Sequence, residues 1–258
     1  MERKTKIIAT LGPSSGTEEV FSKIASYVDM VRLNFSWGTH EEMKNLIEMV
    51  RKVSDEQGRK ILIIQDLSGP RKQEANGHHM DTGAQGVITE KDLIDLEFGV
   101  KNSVDYVAMS YVGNSSDVIA LRDHMEKFGN KIPVIAKIER KEAVDNIEDI
   151  INVSDAIMIA RGDLGKALPI EEIPLVEKNI LSLCINKNKF VIVATEMLLS
   201  MVKEDRPTRA EVTDVEFAVT SGASAVMLSE ETATGEHPLE SVMALDKIVR
   251  YSDEHPLD

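Results

Sequence analysis

Short apolar runs recur eight times along the chain, and each run is nearly continuous rather than alternating in polarity. They consist mostly of Ile, Val, Met and Ala, and they start at Lys6, Asp29, Ile61, Tyr106, Val134, Ile157, Phe190 and Ala225. A strand that is covered on both faces is apolar at every position, as parallel strands beneath helices are. The runs therefore predict eight parallel strands.

The segments between these runs have helical spacing. "TEEVFSKIASYV", "THEEMKNLIEMVRKVSDEQG" and "SSDVIALRDHMEKFG" begin with Ser or Thr and repeat apolar residues at intervals of three and four. "TEKDLIDLEFGVKN" has Thr89 followed by Asp92, which is an approximate capping box. This alternation predicts an α/β fold, a single-domain (β/α)8 TIM barrel over residues 1–258. An open doubly wound sheet is the alternative, but "ATLGPSSG" lacks the G-x-G-x-x-G spacing.

Residues 70–88, "PRKQEANGHHMDTGAQGVI", interrupt this alternation after the third strand. The segment is polar and long for a connection between a strand and its helix, so we interpret it as a surface excursion. His78 and His79 lie near Asp81 in it. A solvated loop tip is favoured over a metal site, because adjacent residues of an extended chain point to opposite faces.

Net charge, the length of the apolar runs and the cysteine count limit the classes of function and location that the sequence allows. The 258 residues are 42% hydrophobic and carry a net charge of −14, which argues against a nucleic-acid partner held by phosphate contacts. No apolar run reaches the ~18 residues of a membrane span, and "MERKTKIIATLG" lacks a signal-peptide pattern, so we expect a cytoplasmic protein without a membrane partner. The one cysteine, Cys184, shares a helical face with apolar residues and is expected to be a core thiol.

Polar side chains follow most of the apolar runs, where a barrel of this kind carries its catalytic residues. The third run ends in Asp66 and Ser68, the sixth in "ARGDLG", and Lys137 and Glu139 share one face of the fifth. A buried salt bridge is the structural alternative for Lys137 and Glu139. We favour a functional cation beside a metal-binding carboxylate, with Glu139 and Asp163 holding Mg²⁺. The backbone at Gly162 is expected to let an anionic substrate approach.

Seven motifs also occur in a family's order along almost the whole chain. They are "KIIATLGPSS", "VRLNFSWGTHEE", "AKIE", "IMIARGDLG", "VATEMLLSM", "RPTRAEVTDV" and "VMLSEETATGEHP". Together they resemble the catalytic barrel domain of the pyruvate kinases, which are glycolytic kinases. The resemblance implies a phosphotransferase that acts on phosphoenolpyruvate or pyruvate and ADP or ATP through an enolate stabilised by Mg²⁺ or Mn²⁺. It also allows a homo-oligomer formed through the barrel.

The resemblance implies roles for individual residues. Arg32 would bind the transferring phosphoryl group, and Lys137 would neutralise charge on that group and on the enolate oxygen. Thr195 would lie near the face where the enolate is protonated, and Ser229 would join a proton relay. Gly162 and Asp163 would contact substrate.

The resemblance likewise implies two cation sites. The divalent cation would be held by Glu139 and Asp163. A monovalent-cation site would be lined by Asn34, Ser36, Asp66 and the carbonyl of Leu67. Arg71 falls where members that depend on K⁺ have a glutamate, and its permanent charge would replace the ion. The resemblance therefore predicts that K⁺ is not required.

The sequence also departs from the family pattern. Residues 70–88 stand where the family inserts a lid domain, and we expect no counterpart of the family's C-terminal domain, since the chain ends soon after the predicted eighth helix. Ser68 and Gln73 replace a lysine and an arginine, which removes positive charge from the expected phosphoryl path. Further departures are Trp37, Gly113, Glu196 and Glu230. Mg²⁺ and pyruvate-like binding are thus better supported than efficient ATP formation.

Three function classes remain open from the sequence. The first is a minimal pyruvate kinase. The second is a lyase, such as an oxaloacetate decarboxylase or an aldolase, that uses the same enolate site without a nucleotide. The third is a metabolite-binding barrel without catalysis, against which the retained Lys137, Glu139, Asp163 and Thr195 argue.

Overall fold

The computed structural model describes residues 3–74, 77–81, 83–84 and 86–255. Its strands are β1 Lys6–Leu11, β2 Met30–Asn34, β3 Leu62–Asp66, β4 Arg71–Glu74, β5 Gly77–Met80, β6 Tyr106–Met109, β7 Val134–Ile138, β8 Ala156–Ala160, β9 Phe190–Ala194 and β10 Ala225–Leu228. Eight of them close a barrel in the order β1-β10-β9-β8-β7-β6-β3-β2, and β4 pairs with β5 alone. The prediction of a (β/α)8 barrel is confirmed.

Helices follow the barrel strands as the spacing of apolar residues predicts. They are α1 Glu18–Ile24, α2 His40–Glu56, α3 Glu90–Lys101, α4 Ser115–Lys127, α5 Lys141–Asp145, α6 Ile147–Val153, α7 Arg161–Ala167, α8 Ile173–Asn186, α9 Arg209–Thr220, α10 Glu230–Ala233 and α11 Pro238–Glu254. Short 3-10 helices cover Ile170–Glu172 and Leu199–Val202. The capping box at Thr89 and Asp92 is present at the start of α3, as predicted.

The chain divides into two compact units. Unit 1 comprises the residues up to Leu33, Glu41–Ile63 and the residues from Phe190 onward, and unit 2 comprises Asn34–His40 and Ile64–Lys189. In unit 1, β1 pairs in parallel with β2 and β10, with Ile8 opposite Met30 and Ile7 opposite Val226. These apolar side chains are buried. Burial of successive positions explains why the strand runs do not alternate.

In unit 2, β3 pairs in parallel with β6, β6 pairs with β7, and β7 pairs with β8. The register sets Asp66 opposite Ala108, and Lys137 opposite Met158. Because the strands run in the same direction, their carboxyl ends lie side by side. Polar residues at the ends of β3 and β7, and in the segment after β6, are therefore brought together.

The segment between β3 and α3 contains regular structure that the sequence did not predict. β4 and β5 form an antiparallel pair with Arg71 opposite Met80, and the Asp81 N–H donates to the Pro70 carbonyl at 2.8 Å. The expected surface excursion is thus in part a hairpin, because each strand satisfies the backbone groups of the other. His79 is exposed, whereas the side chains of Gln73 and His78 lie outside the described part.

Cys184 is buried, as the sequence predicts. Burial raises the pKa of its thiol to about 12, and the nearby Lys189 ammonium opposes this only in part. Since the thiolate is the nucleophilic form, this cysteine is a core residue rather than a reactive one.

Candidate active site

Lys137 is the centre of a buried polar cluster in unit 2. Its Nζ lies 3.1 Å from Asp66 Oδ1 and 2.9 Å from Glu139 Oε1, and it donates to Ser110 Oγ at 2.7 Å. All four side chains are buried. An ammonium is tolerated in such a place only when charges and hydrogen bonds compensate its desolvation. The cluster therefore holds Lys137 in one position, with three polar partners around its ammonium.

The segment after β6 supplies the rest of this framework. Ser110 Oγ donates to the Leu67 carbonyl at 2.7 Å, and the Tyr111 backbone N–H donates to Glu139 Oε2 at 2.6 Å. Tyr111 has a φ of 56°, in the left-handed region that bulky residues rarely adopt. Such a conformation costs about 1–3 kcal/mol and persists where the surroundings impose it. Here the bond to Glu139 is one such constraint.

Arg71 is half-buried and lies beside Tyr111. Its Nε donates to the Ser68 carbonyl at 2.9 Å, and its guanidinium carbon lies 5.8 Å from the centroid of the Tyr111 ring. Burial is the main cause that raises the pKa of Tyr111; the Arg71 charge opposes it, whereas the carboxylates of Glu139 and Asp163 add to it. Charges of both signs thus act on this phenol.

Asp163 is the third residue of α7 and not its N-cap. The N-cap position is Ala160, which makes no side-chain capping bond. Asp163 Oδ1 accepts a hydrogen bond from the exposed Lys166 Nζ at 2.8 Å. Arg161, two residues earlier, has a guanidinium nitrogen 3.3 Å from Oε2 of the buried Glu177. The two charged ends of "RGD" therefore have different contacts: Arg161 pairs with α8, and Asp163 stays at the end of β8.

The residues expected around a monovalent cation also lie within unit 2. Asn34 Oδ1 accepts from the Ser36 N–H at 3.1 Å, and the Asp66 carbonyl accepts from the Phe35 N–H at 2.9 Å. Ser36 Oγ is buried and has no hydrogen-bond partner among the residues that the structure describes. A buried hydroxyl without a hydrogen-bond partner has an oxygen that can still bind a cation, which fits the predicted cation site.

Unit 1 carries the other three predicted catalytic residues: Arg32 lies within β2, Thr195 directly follows β9, and Ser229 directly follows β10. An Arg32 guanidinium nitrogen donates to Thr10 Oγ1 at 3.2 Å. Thr195 and Glu196 both have positive φ, 72° and 55°, which is strained for a β-branched residue such as threonine. The Ser229 hydroxyl is buried and has no hydrogen-bond partner within the described residues.

Comparison with known proteins identifies the family. The sequence matches the family "Pyruvate kinase, barrel domain" over residues 2–86 and 75–242. This chain belongs to the pyruvate kinase barrel family. It is 36% identical to a pyruvate kinase of Sporosarcina psychrophila, with 95% of the chain and 56% of that protein covered. It is 34% identical to a pyruvate kinase of Mycobacterium intracellulare, with 96% of the chain and 70% of that protein covered.

The chain therefore spans little more than half the length of the first of these pyruvate kinases. Both alignments extend over 330 positions, more than the 258 residues of the chain, so the relatives contain residues without a counterpart here. The family match is in two segments that overlap at residues 75–86. That overlap lies within the 70–88 segment, where the sequence predicts that a shortened loop replaces the lid domain.

Glu139 and Asp163 are the metal ligands predicted for this pyruvate kinase barrel. No group of three or more His, Cys, Asp or Glu residues suited to a metal ion occurs in the part of the chain that is described. Glu139 and Asp163 are two hard oxygen donors, and Mg²⁺ commonly takes one or two carboxylates and completes its shell with water and substrate. The donor chemistry of these two carboxylates thus fits Mg²⁺.

The structure gathers the predicted site residues of the pyruvate kinase pattern into two sets. Unit 2 carries Lys137, Glu139, Asp66, Leu67, Asn34, Ser36, Arg71, Gly162 and Asp163, and unit 1 carries Arg32, Thr195 and Ser229. Their roles remain predictions. Ser110 and Tyr111 were missed from the sequence, and the only available signal was a polar pair after an apolar run.

Glu231 has a structural role among the acidic residues at the strand ends. It is fully buried and accepts the backbone N–H groups of Leu198 at 3.0 Å and Ser229 at 2.7 Å. Burial raises the pKa of this carboxyl, and backbone hydrogen bonds from its own N–H and from those of Leu198 and Ser229 oppose the rise. Glu231 thereby ties the segment after β9 to the end of β10.

None of the described helices combines the length and the apolar character that crossing a membrane requires.

Proposed function

We propose that this chain acts as a pyruvate kinase-type phosphotransferase, which transfers a phosphoryl group between phosphoenolpyruvate and ADP through the enolate of pyruvate. The observation that carries the proposal is the buried Lys137 ammonium, fixed by Asp66, Glu139 and Ser110 in a chain of this family.

A fixed ammonium suits a reaction in which negative charge develops on oxygen. The enolate oxygen and the transferring phosphoryl group both gain charge in the transition state. A cation that is already oriented stabilises that charge without reorganisation, and burial strengthens the interaction. Three partners at 2.7–3.1 Å orient Lys137 before substrate arrives.

Glu139 and Asp163 are the residues that we assign to Mg²⁺. A bound Mg²⁺ supplies Lewis-acid stabilisation of negatively charged substrate oxygens. The chain contributes by fixing the ligands: the Tyr111 N–H holds Glu139 Oε2, and Lys137 holds Glu139 Oε1. A carboxylate restrained at both oxygens presents its remaining lone pairs in a set direction.

Arg71 is the residue that we assign to the role of a monovalent cation. Its position against Tyr111 and the Ser68 carbonyl supports this role, because it keeps a permanent positive charge beside the cluster. Arg32, Thr195 and Ser229 keep the roles that the resemblance implies: phosphoryl binding for Arg32, and protonation of the enolate for Thr195 and Ser229.

Decarboxylation of oxaloacetate is the second candidate function. It also forms the enolate of pyruvate, yet it needs no phosphoryl path. Ser68, where the family pattern has a lysine, is a buried neutral side chain. The missing cation weakens phosphoryl transfer and leaves enolate formation untouched, which favours this alternative.

A coupled assay separates the two functions. Lactate dehydrogenase and NADH report pyruvate formed from phosphoenolpyruvate, ADP and Mg²⁺, or from oxaloacetate and Mg²⁺ alone. Glu139→Gln should abolish the activity, whereas Glu148→Gln, an exposed carboxylate on α6, serves as the matched control. Pyruvate from phosphoenolpyruvate only when ADP is present supports the kinase. Pyruvate from oxaloacetate alone supports the lyase, and no pyruvate from either substrate contradicts both.

A further inference from the structure

The Tyr111 hydroxyl is a buried polar atom that the proposed reaction does not yet use. The residue is 2% exposed, and its Oη has no hydrogen-bond partner among the described residues. A buried hydroxyl without a partner costs about 1–3 kcal/mol relative to a bonded one. Native structures keep few such groups, and each needs an explanation.

The Tyr111 ring is held in place from several sides. Its backbone N–H bonds to Glu139 Oε2 at 2.6 Å, and its φ of 56° sets the direction in which the side chain leaves the backbone. The ring packs over Gly69, where an added Cβ would lie 2.8 Å from Tyr111 Cδ2. Arg71 covers one ring face at 5.8 Å. The contacts of the ring and backbone therefore set the position of the hydroxyl, which makes no hydrogen bond of its own within the described residues.

Tyr111 is joined to the candidate site through its backbone. Its N–H donates to Glu139 Oε2, and Ser110, the residue before it, accepts a hydrogen bond from Lys137 Nζ at 2.7 Å. An anion bound next to Lys137 and Glu139 would therefore lie near a hydroxyl whose hydrogen-bonding capacity is unused within the described residues. A neutral phenol donates its O–H to an anionic oxygen.

We propose that the Tyr111 hydroxyl donates a hydrogen bond to an oxygen of the small anion bound beside Lys137. The ligand class is a planar carboxylate with a second, adjacent oxygen, such as the enolate of pyruvate or its stable mimic oxalate. The proposal rests on the proposed function for the place where the anion binds. It adds a specificity residue, because a site with a buried donor discriminates against ligands that leave the donor unpaired.

Replacement of the hydroxyl by hydrogen provides the test, since Tyr111→Phe keeps the ring and its packing. Hydrogen bonds to charged groups are the stronger class, and we expect the dissociation constant of oxalate, titrated with Mg²⁺ present by calorimetry, to rise about 10- to 100-fold. The matched control is Tyr251→Phe, because Tyr251 lies on α11 and is 67% exposed. Its affinity should equal that of the wild type.

Two further readouts do not depend on turnover. Without ligand, Tyr111→Phe should unfold at the wild-type temperature or above, since it removes an unpaired polar atom. Oxalate should shift the tyrosine absorbance of the wild type and not that of Tyr111→Phe. Equal oxalate affinities of wild type and Tyr111→Phe, or no binding by either, would overturn the inference. The proposed function fails separately, if the wild type forms no pyruvate from phosphoenolpyruvate.

Discussion

Replacing Lys137 by methionine tests the buried ion cluster, because methionine matches the length of the lysine stem and carries no charge. At an effective dielectric of about 20, the attraction of Lys137 is about 5 kcal/mol to Asp66 at 3.1 Å and about 6 kcal/mol to Glu139 at 2.9 Å. Desolvation offsets much of this. Removing one member of a buried pair nevertheless costs about 3–5 kcal/mol, because uncompensated charge stays behind.

We therefore expect Lys137→Met to lower the free energy of unfolding by about 3–5 kcal/mol, measured by urea titration with circular dichroism. This is a large part of the roughly 5–15 kcal/mol that holds a typical domain together. Combining it with Glu139→Gln should restore part of the loss, since one stranded charge is then removed. Lys141→Met, at an exposed lysine that pairs with Asp145, should stay within about 1 kcal/mol of the wild type. A similarly small effect of Lys137→Met would refute the cluster.

Three other predictions address separate features of the chain. Arg71→Glu should make the activity depend on K⁺, because the substitution removes the permanent cation near Tyr111. Assays in tetramethylammonium buffer with and without KCl would measure this dependence. Strong K⁺ stimulation of the wild type would contradict the prediction. Cys184 should react with a thiol reagent only as fast as the protein unfolds, since burial raises its pKa to about 12; rapid labelling of the native protein would disprove this. Burial raises the pKa of Glu211, but hydrogen bonds from Ser200 and Thr208 outweigh this effect, so the pKa is lowered overall. The carboxylate therefore stabilises the fold at neutral pH, and this stabilisation is lost as the pH falls through the folded pKa. Glu211→Gln should therefore cost about 1 kcal/mol at pH 7, as lost caps do, and nothing in strong acid; a loss that is independent of pH would exclude the carboxylate as its source.

The barrel could be predicted because a strand that is buried on both faces is apolar at every position. Each strand run is apolar throughout, and the helices between them begin at recognisable caps such as Thr89. Lys137 and Glu139 were found for a related reason: a period of two places them on one face of a strand. Two opposite charges within so apolar a run are conspicuous from the residue pattern alone.

Other features could not be predicted, because they depend on contacts between distant segments. Tyr111 is significant through its positive φ and its bond to Glu139, and neither leaves a pattern in the sequence. The β4–β5 hairpin was missed since its strands are polar and lack alternation. Arg161 and Glu231 follow strands as the catalytic candidates do, yet Arg161 pairs with Glu177 and Glu231 binds backbone N–H groups. Position at a strand end alone does not separate structural from functional residues.

Proton exchange at the methyl group of pyruvate tests the central claim most directly, because it requires the enolate and neither a nucleotide nor a lid. The loss of the methyl proton signal is followed by nuclear magnetic resonance in D₂O with Mg²⁺, with Asp163→Asn as the variant and buffer with Mg²⁺ as the blank. We predict exchange well above the blank for the wild type, and exchange at the blank rate for Asp163→Asn. Exchange by the wild type no faster than the blank would contradict the assignment of Lys137, Glu139 and Asp163 to enolate chemistry.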